Sequence, residues 1–319
     1  MTKDGIKNFF EDYLGKESIF KNKKILQTSY TPDTIPHRDE QINEIAGVLA
    51  PVLRNEKPSN LFLYGKTGTG KTLSVLHVTN NLREISNSKD LPLKVVYINC
   101  KLKRVADTEY RLIASLAREF GQKNIPVTGL PTDEVYRLFI KNIEAGPNQI
   151  ILILDEIDQL VKKAGDEILY NLTRMNAELK NTQVTFVGVS NDLRFANDLD
   201  PRIKSSLAEE DLNFPSYNAL QLQDILLERS KGAFKDGSIS EGVIEKCAAY
   251  AAREHGDARR ALDLLRVAGE LAERKNDLKV DIVHIDEAES KIENDLVVEV
   301  INTLPKQSQL TLLAIFDLY

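Results

Sequence analysis

At 319 residues the chain exceeds one typical domain, and 42% hydrophobic content is ample for a sizeable core. The net charge of −6 gives no global attraction for nucleic acid, so any such contact must come from local basic clusters. No apolar run approaches the ~18 residues of a membrane span, and Cys100 and Cys247 stand far apart without a Cys-x-x-Cys or histidine set, which argues against a disulfide scaffold or zinc site.

In chain order, the amino terminus MTKDGIKNFFEDYLGK carries acids among its bases and no long apolar stretch, so it reads as neither signal nor transit peptide, and the expected location is the cytoplasm. A helical pattern around Ile6 to Leu14 and a basic patch, Lys21, Lys23 and Lys24, come first. The segment IPHRDEQINEIAGVLAPVL then reads as a helix, with Pro36 near its start and Ile42, Ile45, Val48, Leu49 and Leu53 recurring on one face. It leads into LFLYGKTGTGKT, Leu61 to Thr72, where an apolar run breaks into a glycine loop before another helical pattern. Gly65, Gly70, Lys71 and Thr72 satisfy G-x-x-x-x-G-K-[ST] in the strand-then-helix setting that this motif requires. Glycines let successive backbone N–H groups face phosphate oxygens, Lys71 reaches the β- and γ-phosphates, and the Thr72 hydroxyl takes a Mg²⁺ position.

Three further apolar runs read as buried parallel strands: LKVVYINC from Leu93, IILILDEID from Ile150 and VTFVGVSN from Val184. Helical stretches alternate with them, the pattern of a doubly wound α/β domain that binds ligands at the carboxyl ends of its strands. The second strand ends at Asn99 and Cys100, and both cysteines read as buried apolar residues. The third strand ends in Asp155, Glu156 and Asp158; Asp155 is placed to hold Mg²⁺ and Glu156 to orient or polarise an attacking water. The fourth ends at Ser190 and Asn191, whose neutral amide can hydrogen-bond the γ-phosphate or the water. Between the second and third strands lie two helical patterns, TEYRLIASLAREFG and PTDEVYRLFIKNI, where a simple crossover needs one. From about Phe214 helical patterns take over, marked by Leu220, Ile225 and Leu226, by Val243, Ile244 and Ala248, and by Ala261, Leu262, Leu264 and Leu265. HGDARRALDLL puts Arg259 and Arg260 at the start of a helix in this second domain, and a hinged lid could bring one of them to the phosphates. In LPKQSQLTLLAIFDLY, Leu310, Leu313 and Phe316 make one apolar helix face.

The phosphate loop, DEID, the strand ending in Asn191, LDPRIKSSL and GDARRALDLL occur in the order of an AAA+ ATPase. PHRDEQINEIAGVL, NFPSYNALQLQDILLER and the two-helix interval make the chain resemble, more closely, the archaeal replication initiators of the origin-recognition and cell-division-control family. The resemblance implies an AAA+ P-loop NTPase core of doubly wound parallel sheet over residues 1–214, with an initiator-type insertion near 101–145. It further implies an all-helical lid over 215–295, and over 296–319 a linker and the first helix of a winged-helix domain cut short. It assigns Gly65, Lys66, Thr67, Gly68, Thr69, Gly70, Lys71, Thr72 and Leu73 to the ATP or ADP phosphates, and His37 and Arg38 to the neighbourhood of the base. Thr72 and Asp155 are assigned to Mg²⁺, Glu156 to hydrolysis, Asn191 to sensor 1 and Arg259 to sensor 2. Arg202 lies in the arginine-finger segment, although Ser205 and Ser206 stand where some relatives carry the finger. The insertion touches DNA in this family, which points to a patch of Lys101, Lys103, Arg104 and Arg111. The implied partners are double-stranded origin DNA, the replicative helicase and other initiator subunits, with no membrane, slow ATP hydrolysis and a nucleoid-associated location. Two alternatives stand beside this: another AAA+ ATPase such as a clamp-loader-like motor, and a nucleotide-dependent switch without DNA binding.

Overall fold

The computed structural model describes residues 15, 17–28, 30–102, 108–121, 125–126, 129–195, 199–207 and 210–318. They fall into two units: one is Thr31–Ser216, and the other joins the described residues up to Tyr30 with Tyr217 onward. The expected helix around Ile6 to Leu14 lies outside the described residues.

The first unit is built on a five-stranded, all-parallel sheet in the order β2-β3-β4-β1-β5. Its strands are β1 (Leu61–Tyr64), β2 (Leu93–Asn99), β3 (Gln149–Asp155), β4 (Gln183–Ser190) and β5 (Glu210–Asn213). Because side chains alternate across a strand, the continuous apolar runs supply two cores at once. Ile150, Leu152 and Leu154 of β3 join Val184 and Phe186 of β4 and Val96 and Ile98 of β2 on one face. Ile151 and Ile153 join Leu61, Leu63, Val187, Val189 and Leu212 on the other. That second face is covered by α1 (Asp39–Leu49) and α2 (Lys71–Ser88), through Ile45 and Leu49 and through Val75, Val78 and Leu82. The helix read over IPHRDEQINEIAGVLAPVL begins later than Pro36 and tightens to a 3₁₀ turn at Ala50–Arg54, where Pro51 sits.

The first face is covered by α3 (Glu109–Glu119), α4 (Thr132–Glu144), α5 (Ile157–Ala164) and α6 (Glu167–Arg174), with α7 (Pro201–Leu207) following before β5. Both helices of the long β2–β3 interval are present. Thr108 caps α3 by accepting a hydrogen bond from Arg111 N–H, and Leu112, Ile113, Leu116, Phe139 and Ile143 bury the two helices in the sheet's core. Strand β5 was not expected from the sequence. Its residues EDLN bury only Leu212, since an edge strand needs one inward side chain and its polar neighbours can face water.

The second unit is helical: α8 (Ala219–Ala233), α9 (Val243–Glu254), α10 (Ala258–Lys275), α11 (Ile282–Thr303) and α12 (Lys306–Leu318). Asn218 and Gln221 form a capping box at the start of α8. Leu220 is in that helix but exposed, and Leu222 takes the core position beside Ile225 and Leu226. The unit also holds residues 17–28 and 30, against the expectation of a base that spans residues 1–214. Phe20 packs on Phe234 with ring centroids 4.6 Å apart, and the N–H groups of Lys21 and Asn22 donate to Ala233 O. A Cβ on Gly269 of α10 would lie 2.5 Å from the Phe20 ring, so that ring's seat depends on the glycine. The apolar face expected on the last helix is present and exposed at Leu310, Leu313 and Phe316. No helix among the described residues is long and apolar enough to cross a membrane.

Candidate functional site

Parallel pairing aligns the carboxyl ends of the central strands. Asn99 is level with Asp155, Asp155 with Val189, Val189 with Leu63, and Ser190 with Tyr64. The residues that follow, Gly65, Cys100, Glu156 and Asn191, therefore leave the sheet along one edge, where open α/β sheets bind ligands.

The loop after β1 folds around its own lysine. Lys71, 4% exposed, donates from Nζ to Gly65 O and Lys66 O at 2.7 Å each and lies 3.5 Å from Thr69 Oγ1, while Thr69 Oγ1 donates to Lys66 O at 2.8 Å. Gly70, at φ +91°, is the N-cap of α2 and offers no side chain to cap it. An uncapped helix N-terminus with an ammonium folded into the loop is a donor set suited to polyphosphate. Thr67 and Lys66 are exposed, whereas Thr69 is buried.

Next to it, Thr72 Oγ1 donates to Asp155 Oδ2 at 3.0 Å. The same oxygen accepts from Tyr97 OH at 2.7 Å, and Oδ1 accepts the Glu156 N–H at 2.9 Å. Burial, together with the neighbouring Asp155 carboxylate, pushes the Tyr97 phenol well above its ordinary range. A hydroxyl and a carboxylate meeting beside a phosphate loop are hard oxygen ligands that fit Mg²⁺. Tyr97 was missed by sequence reasoning. The available signal was a polar-tipped aromatic two residues before the end of an otherwise aliphatic strand.

Glu156 has φ +54°, a left-handed conformation that costs a non-glycine residue about 1–2 kcal/mol, and forms the N-cap of α5. Its carboxylate is 18% exposed and lies 3.8 Å from Lys101 Nζ. Asp158 is buried and accepts from Ser190 Oγ at 3.2 Å and Gln159 Nε2 at 2.8 Å, which ties α5 to the end of β4 just before half-buried Asn191. Cys100 is buried, and desolvation followed by the Asp155 charge pushes its thiol up to about 12. Cys247 is buried in the helical unit.

Arg38 is 2% exposed, with Nε donating to Thr69 O at 2.8 Å and a terminal nitrogen to Pro215 O at 2.6 Å. His37 beside it is exposed, at φ +61°. Arg202 is 79% exposed and forks onto Asp200, holding that carboxyl down to about 2. Of the basic patch, Lys101 is 71% exposed and Arg111 half-buried, while Lys103 and Arg104 lie outside the described residues.

Residues 54–195 match the AAA domain family and residues 223–290 the Cdc6 AAA+ ATPase-type lid domain. The chain is 51% identical over 318 residues to the ORC1-type DNA replication protein of Thermococcus onnurineus, covering 99% of this chain and 76% of that one. It is 55% identical over 306 residues to ORC1-type DNA replication protein 1 of Methanosarcina acetivorans, covering 96% and 73%. The structure of the Aeropyrum pernix ORC1 protein in complex with DNA superposes with a TM-score of 0.85 at 45% identity, over 95% of this chain and 78% of that chain. The chain belongs to the ORC1-type DNA replication protein family. It therefore has an AAA+ ATPase core and a Cdc6-type lid, as its sequence motifs imply, and the alternative of a clamp-loader-like motor gives way.

In the ORC1-type lid of this chain, Asp257 caps α10 by accepting from the N–H groups of Arg259 and Arg260. The two arginines then part. Arg260 forks onto Glu254, with contacts of 3.0 and 3.2 Å, and is mostly buried, whereas Arg259 is exposed. Adjacent helix positions point about 100° apart, which is why one faces its own unit and the other does not.

Proposed function

We propose that the chain is an ATP-dependent replication initiator that binds ATP with Mg²⁺, hydrolyses it slowly, and couples nucleotide state to binding of duplex origin DNA and recruitment of the replicative helicase. The observation that carries the nucleotide reading is the meeting of Thr72 and Asp155 beside the Lys71-closed loop. Residues Gly65 to Leu73 hold the phosphates, with Lys71 turning from its loop carbonyls to the β- and γ-phosphates. His37 and Arg38 stand by the base. Thr72 and Asp155 would hold Mg²⁺, which would supply neutralisation of phosphate charge. Glu156 orients or polarises the attacking water, Asn191 hydrogen-bonds that water or the γ-phosphate, and Arg259 is contributed by the lid. Arg202 is the arginine-finger candidate toward a neighbouring initiator subunit.

DNA binding is supported by the 45% identical Aeropyrum pernix ORC1 protein, whose structure is of a complex with DNA. Lys101, Lys103, Arg104 and Arg111 cluster basic residues within a short stretch of a chain whose total charge is acidic. The test is duplex binding measured with ATP, with ADP and without nucleotide across a salt series. About three phosphate contacts give a slope of log K against log salt of roughly −2 to −3, and alanine at Lys101, Lys103 and Arg104 together flattens it. Binding that ignores both salt and these substitutions moves the DNA surface elsewhere; no binding at low salt favours the nucleotide switch without DNA.

A further inference from the structure

Arg38 sits where a guanidinium is costly to bury unless its N–H groups find acceptors. Its Nε donates to Thr69 O at 2.8 Å, its two terminal nitrogens to His37 O at 3.2 Å and Pro215 O at 2.6 Å, and its guanidinium carbon lies 5.6 Å from the Phe214 ring centroid. Residues 214–215 also reach the phosphate loop directly. Phe214 N–H donates to Tyr64 O at 2.8 Å, and a Cβ on Gly65 would lie 2.5 Å from Phe214 O. The segment that leaves the first unit is thus fastened to the start of the loop by itself, and to its middle by Arg38.

The geometry of the Thr69–Gly70 peptide gives this bond a consequence for the loop. A trans peptide is planar, with its C=O and N–H pointing in opposite directions. Arg38 holds the Thr69 carbonyl, so it also fixes the direction of the Gly70 N–H, at the N-cap of α2 where the uncapped donors stand. Any rotation of that peptide toward an incoming phosphate pulls on the guanidinium and, through it, on Pro215. Resting on the nucleotide reading above, we propose that Arg38 is a positioning residue that links the phosphate loop to residues 214–216, so that nucleotide binding tightens the connection leading to the lid.

The experiment is amide hydrogen exchange with and without ADP on the full chain, for wild type, Arg38→Lys and Arg38→Met, alongside ADP titration and melting of the free proteins. In wild type, ADP slows exchange both in the loop and at Phe214, Ser216 and Tyr217. In the variants ADP binds roughly tenfold to a hundredfold more weakly, the loss of charged hydrogen bonds of this kind, and at saturation the loop is still protected while 214–217 is not. A residue that merely supports the fold would instead lower the melting temperature and leave that pattern unchanged. Should Arg38→Met fail to fold, Arg38→Lys decides, since it keeps a buried cation but not the planar fork. Should neither fold, wild-type exchange decides: ADP binding without slowing at 214–217 overturns the proposal, as does a variant that keeps both affinity and slowing. If wild type binds no ADP, it is the nucleotide reading that fails.

Discussion

Lys71→Ala separates a nucleotide lysine from a structural one. In the free protein the ammonium is held by two loop carbonyls at 2.7 Å, and one of these belongs to exposed Lys66. Truncation removes a desolvated charge along with its bonds, and water can reach the freed carbonyl. The stability of the free protein should therefore change by no more than about 1 kcal/mol. Affinity should respond very differently. Charged hydrogen bonds contribute about 1.5–3 kcal/mol each, so losing one to each of two phosphates costs about 3–6 kcal/mol, or about 10²- to 10⁴-fold in affinity. Calorimetric titration with ADP and ATP in Mg²⁺ measures this directly. Melting gives a second readout: with a wild-type Kd near ~1 μM, about 1 mM ADP stabilises by ~4 kcal/mol, and a hundredfold weaker variant by only ~1.4 kcal/mol. Affinity within about twofold of wild type would refute the assignment of Lys71 and with it the reading of the loop.

Glu156→Gln should keep ATP binding while hydrolysis falls by roughly 10²-fold or more, since it removes only the group acting on water; weakened binding with unchanged turnover per bound ATP would reverse the roles of Asp155 and Glu156. Arg259→Ala should slow turnover and leave the melt of the helical unit unchanged, whereas Arg260→Ala should destabilise that unit by about 1–2 kcal/mol through loss of its fork onto Glu254; identical behaviour of the two would remove the case for Arg259 as a sensor. Burial raises Glu270, but Lys23 at 2.5 Å and Arg266 at 2.6 Å outweigh it and hold its carboxyl below the ordinary value. Its contribution is therefore present at neutral pH and lost as pH falls through the lowered folded value. Wild type should exceed Glu270→Gln by about 1 kcal/mol at pH 7 in urea melts, given a half-exposed lysine, with the gap closing in acid; a gap independent of pH would show that charge contributes nothing there.

The central strands were legible because aliphatic runs that bury both faces have few other folds available, and the phosphate loop because its glycines, lysine and threonine stand at fixed spacing between a strand and a helix. What escaped was contact between elements distant in sequence. Tyr97 meets Asp155 only because β2 and β3 pair with Asn99 level with Asp155, a register that the sequence does not state. Residues 17–28 and 30 join the helical unit through partners more than 200 positions away, such as Ser18 and Ile19 with Glu273. The spacing of Arg259 and Arg260 showed that they diverge on a helix, but Glu254 decides which one is held.

Burial divides the candidate residues into two kinds with different demands on the rest of the system. Asp155 accepts three donors, from Thr72, Tyr97 and the Glu156 N–H, so its carboxylate is held in one orientation before any ligand arrives. Lys71 and Arg38 are likewise enclosed, each held by backbone carbonyls: Lys71 by Gly65 and Lys66, Arg38 by Thr69 and Pro215. Pre-set groups of this kind lose little conformational freedom when a ligand binds, which is the economical way to hold a polyphosphate. Arg202 and Lys101 are the opposite case. Each is long and exposed; Arg202 is restrained by Asp200 two residues earlier, and Lys101 by one contact of 3.8 Å. An exposed cation of this kind can exchange its contact within the chain for an anion supplied from outside it. The proposed roles of these two, toward a neighbouring subunit and toward DNA, are therefore the ones that will vary with salt and with assembly state, whereas those of Lys71 and Asp155 will not.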